Sequence, residues 1–413
     1  MPPLSCLLRF TSLSFRFLDK RISERTKTNY ALCRSVASMD SGGGGSSSSS
    51  TCTLVLSGKS TAEKEIAESV KKNSAIKLPD NNEVSILLES EIAKLDKEEP
   101  FNVELFFNSL STSRFGRFLI WSPRLTSTHD VVSHNFCELP IGAACVADVQ
   151  YKGRGRSKNV WESPLGCLLF SFTVQMEDGR VVPLLQYVVS LAVTEAIKDV
   201  CHRKGLPFLD VKIKWPNDLY LNGLKVGGIL CTSTYKSKKF NVSAGIGLNV
   251  NNEKPTTCLN AIIRELSAAA FQLRREEIIA AFFNKFENLY DLFINQGFQT
   301  LEELYHRTWL HSGQRVIIQE NNGDQVVENV VTIQGLTSSG YLFAIGDDNQ
   351  ICELHPDGNS FALEHIFSFI YQHHEEHLKD LYCQQVAPQK VITLMHFIDF
   401  LLSSKRGIHQ WPN

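Results

Sequence analysis

Two long stretches of the chain carry apolar residues at helical spacing. One spans residues 181–200 and the other spans residues 278–293. Side chains three or four positions apart share one face of a helix, so both stretches predict helices with one buried face. Such a stripe is typical of a core and not of a cofactor site. The stripes consist of Leu191, Ala192, Ile197, Val200, Ile278, Phe282, Phe286, Leu289 and Phe293.

Four shorter segments before these helices also have recognisable patterns. Residues 118–121 and 143–149 are strand-like, residues 63–73 predict a charged helix, and residues 84–95 alternate apolar and charged positions with a helical or mixed period. Strands that alternate with helices predict a sheet covered by helices. The expected fold is therefore an α/β (α+β) domain built on a mixed sheet.

The pattern of apolar and polar residues changes from Ser312 onward. Short apolar runs alternate there with Asn/Gly/Asp/Ser turns. Short strands with regular turns predict a small C-terminal SH3-like β-barrel. The runs are 314–318, 328–333 and 341–345, and the turns are 321–324, 338–340 and 346–349.

Composition narrows the classes of function. The 413 residues suffice for two or three domains, and the formal net charge of −2 gives no broad electrostatic reason to bind DNA. No apolar run reaches the ~18 residues that span a bilayer, so we expect no membrane partner. Eleven cysteines lie scattered without a CxxC pair, which favours reduced thiols over a disulfide framework or a zinc site.

The first residues are basic. Residues 1–38 contain seven Lys/Arg and two acids, with many serines and leucines, which predicts a transit peptide for a chloroplast or mitochondrion. A disordered basic tail is the alternative. Initiation at Met39 would give a cytosolic form. Residues 41–50 are only Gly and Ser and predict a flexible linker.

Three motifs carry residues suited to binding or catalysis. Residues 153–161 read GRGRSKNVW, in which glycines allow close backbone approach and arginines match a carboxylate or phosphate. A surface turn with solvated arginines would look the same. Residues 214–230 read KWPNDLYLNGLKVGGIL, whose turn residues predict a hairpin, and residues 245–250 read GIGLNV.

In this order and spacing the three segments resemble the biotin protein ligases, over roughly residues 125–359. The resemblance implies an enzyme that uses ATP and Mg²⁺ to convert biotin to biotinyl-5′-AMP. It then transfers biotin to a lysine of the carrier domain of carboxylases of the acetyl-CoA and methylcrotonyl-CoA carboxylase type. It also implies a monomer or weak dimer.

The resemblance assigns roles to residues. Lys225 and Arg156 correspond to catalytic positions, and Asp218 to a metal ligand. Trp161 and Trp215 are expected to pack against the sheet. The biotin-binding set is Ser127, Thr128, His129, Gln150, Arg154, Gly155, Arg156 and Lys225, and the ATP-binding set is Gly153, Lys214, Asn217, Asp218 and Asn249.

The expected organisation has five parts. They are a transit peptide and linker (1–50), a small N-terminal α/β cap (51–117), the catalytic domain (118–311), a barrel whose closing strand is missing or replaced (312–361) and an atypical, partly disordered tail (362–413). The tail departs from the family pattern, so a poorly active or regulatory biotin- or carrier-binding variant is one alternative function. A lipoate ligase is the other.

Overall fold

The computed structural model describes residues 52–79, 83–92, 100–156, 159–252, 254, 256–267, 271–322 and 325–356. The predicted transit peptide, the Gly/Ser linker and the atypical tail lie outside the described residues. The predictions made for those segments therefore stay predictions.

The described residues form a large mixed sheet, a small second sheet and seven α-helices. The helices are α1 Thr61–Lys72, α2 Val103–Ser109, α3 Thr128–His134, α4 Leu185–Arg203, α5 Leu259–Leu266, α6 Arg275–Gln296 and α7 Gln299–Thr308. The strands of the large sheet are β1 Cys52–Gly58, β2 Val84–Leu88, β3 Phe118–Leu125, β4 Ala144–Arg154, β5 Val160–Ser163, β6 Cys167–Met176, β7 Lys212–Lys214, β8 Asp218–Leu221, β9 Leu224–Lys236 and β10 Lys239–Asn249.

The ten-stranded sheet has the order β2-β1-β3-β4-β6-β10-β9-β8-β7, with β5 paired to β4. The pairs β1–β2 and β3–β4 are parallel, and the remaining pairs are antiparallel, which confirms the predicted mixed sheet. The run 84–95, predicted to have a helical or mixed period, contains a strand in its first part. Residues 84–88 form β2 because they pair in register with β1, from Cys52↔Val84 to Leu56↔Leu88.

Helices α4 and α6 lie on one face of the sheet, and both predicted helices are confirmed. Phe282 and Phe286 of α6 pack against Phe170 and Phe172 of β6, with centroids of Phe170 and Phe282 5.0 Å apart and those of Phe172 and Phe286 also 5.0 Å apart. Edge-to-face aromatic pairs of this kind stabilise beyond the area they bury. The apolar stripe of α6 is therefore core.

Helices α1 and α3 cover part of the opposite face. Their apolar residues, including Val70 and Val131, form one cluster with Leu54 of β1, Ile120 of β3 and Cys145 of β4. Because β1 pairs with β3, the residues assigned to an N-terminal cap share one sheet with the strands that follow position 118. The proposed domain boundaries themselves stay predictions.

The second sheet is antiparallel and has the strand order β11-β12-β13-β14. It corresponds to the predicted C-terminal barrel. Its strands are β11 Arg315–Asn322, β12 Gln325–Leu336, β13 Leu342–Gly346 and β14 Ile351–Leu354. Among the described residues, no helix combines the length and the apolar character that crossing a bilayer requires.

Candidate active site

A floor of small residues lies on the sheet face that carries α3. Gly245 is so closely approached that a Cβ there would lie 3.0 Å from both His129 Nδ1 and Ser171 Oγ. A Cβ at Gly228 would lie 3.4 Å from the Trp161 ring, and one at Gly247 would lie 3.5 Å from it. The glycines therefore leave room above the sheet, and Trp161 packs over part of that floor.

The beginning of α3 forms one wall and fixes Gln150. The N–H and Oγ1 of Thr128 donate to Gln150 Oε1 over 2.7 and 3.0 Å. Because a backbone N–H can only donate, the accepting atom must be the amide oxygen, so the Gln150 NH₂ is directed elsewhere. Ser127 caps the same helix through a 3.4 Å bond from Asp130 N. The wall thus presents an oriented amide donor.

His129 is the second polar group of this wall. It is only 6% exposed, and its Nε2 lies 2.9 Å from Thr232 Oγ1. Its Nδ1 is buried and has no hydrogen-bond partner among the described residues. Burial lowers the pKa of His129 to about 4, so the ring is neutral at pH 7. A neutral imidazole can donate or accept, as the ligand requires.

The glycine-arginine segment, residues 153–156, links α3 to the turn that carries Asn217. β4 runs to Arg154, whose Nε lies 2.5 Å from Asp130 Oδ1 in α3. The chain then turns, with a bond of 2.8 Å from Gly155 N to Asn159 O. Arg156 lies on the other side, where its Nη1 donates to Asn217 Oδ1 over 3.2 Å. The two arginines therefore contact different sides of the site.

Glycine is required at two points of this segment. A Cβ at Gly153 would lie 2.7 Å from Gln150 Nε2, and one at Gly155 would lie 2.8 Å from Trp161 Nε1. Real Cβ atoms do not approach other groups so closely. Both glycines thus allow the backbone to pass next to site side chains.

Lys225 and Asp218 form the charged centre of the site. Lys225 Nζ lies 2.6 Å from Asp218 Oδ1 and 5.0 Å from the centroid of the Trp161 ring. Asn217 is fixed next to them by two hydrogen bonds to Ile229. Its Nδ2 donates to Ile229 O over 2.6 Å, and its backbone carbonyl accepts from Ile229 N over 2.8 Å. The predicted catalytic lysine and metal ligand are therefore in direct contact.

Asn249 is the last residue of β10 and Lys214 is the last residue of β7. Asn249 Nδ2 donates to Thr256 Oγ1 over 3.1 Å, and Thr256 Oγ1 donates to the carbonyl of Lys225 over 2.7 Å. Asn249 is thus linked to Lys225 through one hydroxyl. Lys214 Nζ lies 5.5 Å from the centroid of the Tyr220 ring, and burial lowers the pKa of Lys214.

The structure brings the predicted residues together at one side of the sheet, and it adds residues that sequence reasoning missed. Ser171, Thr232 and Thr256 each bond a predicted site residue, and Asp130 pairs with Arg154. None of the four lies within the three motifs. Trp215 is 3% exposed, so the expectation that it packs inside is confirmed.

The stability of the fold should fall in mild acid. Burial lowers the pKa values of His129 and His311 from 6.5 to about 4. Between those values the unfolded chain binds protons that the folded chain does not, so the free energy of unfolding decreases as pH falls from 6.5 to 4. Each histidine contributes up to about 1.4 kcal/mol per pH unit. Urea denaturation at pH 7, 6 and 5 measures this slope.

A matched variant isolates one of the two histidines. His311→Gln keeps an acceptor for Trp215 N, which donates to His311 Nε2 over 3.0 Å, but it cannot titrate. The free energy of unfolding of this variant should depend less steeply on pH than that of the parent. Equal slopes in the two proteins would contradict the assignment.

The chain is similar in sequence to known proteins. Residues 121–249 match the Biotin/lipoate A/B protein ligase family. Biotin–protein ligase 1, chloroplastic, of Arabidopsis thaliana is 69% identical over 313 residues, which are 75% of this chain and 85% of the relative. The chain belongs to the biotin–protein ligase family. Biotin–protein ligase 2 of the same plant is 70% identical to this ligase over 313 residues, 75% of this chain and 95% of the relative.

Solved structures resemble the ligase as well. The biotin protein ligase from Aquifex aeolicus in complex with biotin and ATP is 26% identical, covers 57% of this chain and 94% of its own, and has a TM-score of 0.45.

Proposed function

We propose that this ligase activates biotin with ATP to biotinyl-5′-AMP and transfers biotin to a lysine of the carrier domains of biotin-dependent carboxylases. One observation carries the proposal beyond family membership. Donors suited to a ureido ring and cations suited to a carboxylate and a phosphate lie on the same glycine floor. Both ends of biotin therefore have matching groups in one site.

The ureido end of biotin matches the α3 wall. A ureido ring has two N–H donors and one carbonyl acceptor. The oriented Gln150 amide and the neutral His129 ring, whose Nδ1 has no partner within the described part of the chain, supply complementary groups there. The apolar bicycle would lie next to the Trp161 ring, which packs over the sheet 3.4 Å from the Cβ position of Gly228 and 3.5 Å from that of Gly247. Leaving His129 Nδ1 buried without a partner costs free energy, which a bound ligand would recover.

The carboxylate end matches Lys225 and Arg156. Activation places the biotin carboxylate next to the α-phosphate of ATP, and two unit charges ~4 Å apart repel by about 4 kcal/mol at an effective dielectric of ~20. Lys225 Nζ contacts Asp218 and the Arg156 guanidinium donates to the adjacent Asn217. These cations offset the repulsion and stabilise the charge that develops at phosphorus.

Asp218 fits a Mg²⁺ ion that arrives with the nucleotide. The described residues contain no group of three or more His, Cys, Asp or Glu able to hold a metal by themselves. Mg²⁺ is commonly held by one or two carboxylates together with substrate phosphates, which a single Asp218 satisfies. Asp218 would hold the ion with help from the Asn217 amide, and the ion would neutralise phosphate charge when bound.

The second half-reaction needs a protected intermediate. Biotinyl-5′-AMP is a mixed anhydride that water hydrolyses, so the segment carrying Arg154 and Arg156 would exclude water over it. The amine of an acceptor lysine then attacks the carbonyl, and AMP leaves. The proposal includes carrier domains of carboxylases of the acetyl-CoA and methylcrotonyl-CoA carboxylase type as acceptors. It also includes a ligase that is a monomer or weak dimer.

Biotin-dependent exchange of pyrophosphate into ATP tests the activation step without a carrier domain. We expect rapid exchange with biotin and Mg²⁺ and none with lipoate. Equal exchange with lipoate would favour the lipoate ligase alternative. The relatives that are 69% and 70% identical are both biotin–protein ligases, which favours biotin.

Chloroplast targeting is the second testable part of the proposal. The relative that is 69% identical is chloroplastic, and residues 1–38 are basic with few acids. A fluorescent reporter fused to residues 1–50 should therefore enter plastids. A matched fusion that starts at Met39 should stay in the cytosol. Plastid signal from neither fusion would contradict the targeting proposal, and mitochondrial signal would move it to the other organelle.

A further inference from the structure

The turn between β12 and β13 directs one carbonyl at the large sheet. Gly340 O accepts from Tyr187 Oη over 2.5 Å and from Trp215 Nε1 over 3.1 Å. Trp215 Nε1 also lies 2.8 Å from Tyr187 Oη. Tyr187 belongs to α4 and Trp215 to the turn after β7. One buried group of three hydrogen-bonding residues therefore joins the two sheets.

Gly340 is the residue that allows this contact. Its φ is +86°, and a Cβ there would lie 2.9 Å from both Leu184 and Tyr187. The turn is also fixed internally, since Gly340 N donates to Thr337 O over 2.9 Å and Tyr341 N donates to Thr337 Oγ1 over 3.1 Å. Burial raises the pKa of Tyr187, so its hydroxyl keeps the proton that it donates.

Residues 310–311, which precede the second sheet, form hydrogen bonds with β7 and with the backbone of Trp215. Leu310 N donates to Ile213 O over 2.9 Å, and Trp215 N donates to His311 Nε2 over 3.0 Å. His311 Nδ1 lies 2.7 Å from Gln314 Oε1, which fixes the tautomer with the proton on Nδ1. Trp215 is therefore held through its backbone and through its indole.

Asn217 and Asp218 follow Trp215 closely in the chain. Asn217 bonds Arg156, and Asp218 bonds Lys225. Any shift of the Trp215 ring would therefore move the groups assigned to the nucleotide and the metal. We infer that Tyr187 is a positioning residue. Its hydroxyl accepts from Trp215 Nε1 and donates to Gly340 O, and this tie reinforces the direct bond from Trp215 to the second sheet and so holds Asn217 and Asp218 for ATP. This inference rests on the proposed function.

The test compares two variants that each remove one buried tyrosine hydroxyl. Tyr187→Phe removes both bonds of the Tyr187 hydroxyl and leaves only the direct bond of 3.1 Å from Trp215 Nε1 to Gly340 O. Tyr290→Phe removes a hydroxyl that donates to Gln175 O over 3.1 Å in the aromatic core. A net loss equal to one typical hydrogen bond should raise the KM for ATP of Tyr187→Phe roughly 5-fold. The KM for biotin should stay unchanged. Tyr290→Phe should leave both KM values at the parent level, and calorimetric titration with ATP should reproduce the difference.

Each outcome decides the inference. Equal KM values for ATP in Tyr187→Phe and in the parent would overturn it. A joint rise of the KM values for ATP and biotin would also overturn it, because that result indicates general loosening. Thr337→Val probes the tie from the second sheet and should raise the KM for ATP alone, so it decides the matter if Tyr187→Phe yields no folded protein. A parent without biotin-dependent exchange would instead refute the proposed function.

Discussion

Lys225→Ala lowers the rate of biotinyl-5′-AMP formation by about 10²-fold or more, which is the scale seen when one transition-state donor is lost. Lys225 Nζ is 2.6 Å from Asp218 Oδ1 and faces the Trp161 ring. Without the Lys225 ammonium, one cation fewer offsets the repulsion between the biotin carboxylate and the α-phosphate. The substitution also leaves Asp218 without its ammonium partner. Single-turnover formation of the adenylate from biotin and ATP measures the effect.

The matched control is Lys239→Ala. Lys239 lies at the start of β10, where its Nζ is 3.4 Å from Glu177 Oε1 and the side chain is 46% exposed. That variant should form the adenylate at the parental rate, because surface ion pairs contribute little. A normal rate in Lys225→Ala would show that Lys225 does not stabilise the reacting phosphate.

Arg156→Gly releases the adenylate from the site. The Arg156 guanidinium donates to Asn217 Oδ1 over 3.2 Å and thereby ties the glycine-arginine segment across the site. A hydrogen bond to a charged group contributes about 1.5–3 kcal/mol, so its loss should speed release of biotinyl-5′-AMP about 10-fold or more. The free anhydride should then acylate lysines of bystander proteins. Filter retention of labelled adenylate and labelling of an unrelated protein measure both effects.

Arg180→Gly serves as the control for this change. Arg180 pairs only with the neighbouring Asp178 among the described residues, and its side chain is 89% exposed. It should retain the adenylate and label only the carrier domain. If Arg156→Gly shows the same retention and the same target selectivity as this control, Arg156 does not close the site.

The sequence predicts a candidate site because the motifs that indicate it are local. Gly153 to Arg156 and the Lys214–Lys225 region each carry glycine, arginine or turn residues whose spacing is informative without a structure. The pairing of Lys225 with Asp218 is also local, since both belong to one hairpin. The two helices with long apolar stripes followed from their period for the same reason.

The remaining contacts depend on tertiary pairing. Thr232 reaches His129 only because β9 pairs with β10, next to α3, and nothing in the run around Thr232 distinguishes it. The strand β2 is recognised through its parallel partner β1, since a short apolar run such as VSILL does not by itself distinguish a strand from part of a buried helix. The link from Gly340 to Trp215 joins residues 125 positions apart. No local pattern encodes such a contact.

Transfer of labelled biotin to a carrier domain tests the central claim most directly. The full chain is mixed with ATP, Mg²⁺ and a purified biotin-carrier domain, with either biotin or lipoate, and a carrier whose acceptor lysine is changed to arginine serves as the control. The account predicts ATP-dependent label on the lysine-containing carrier with biotin, and no label with lipoate or on the arginine carrier. Label from lipoate, or no label from biotin although the chain is folded, would contradict it.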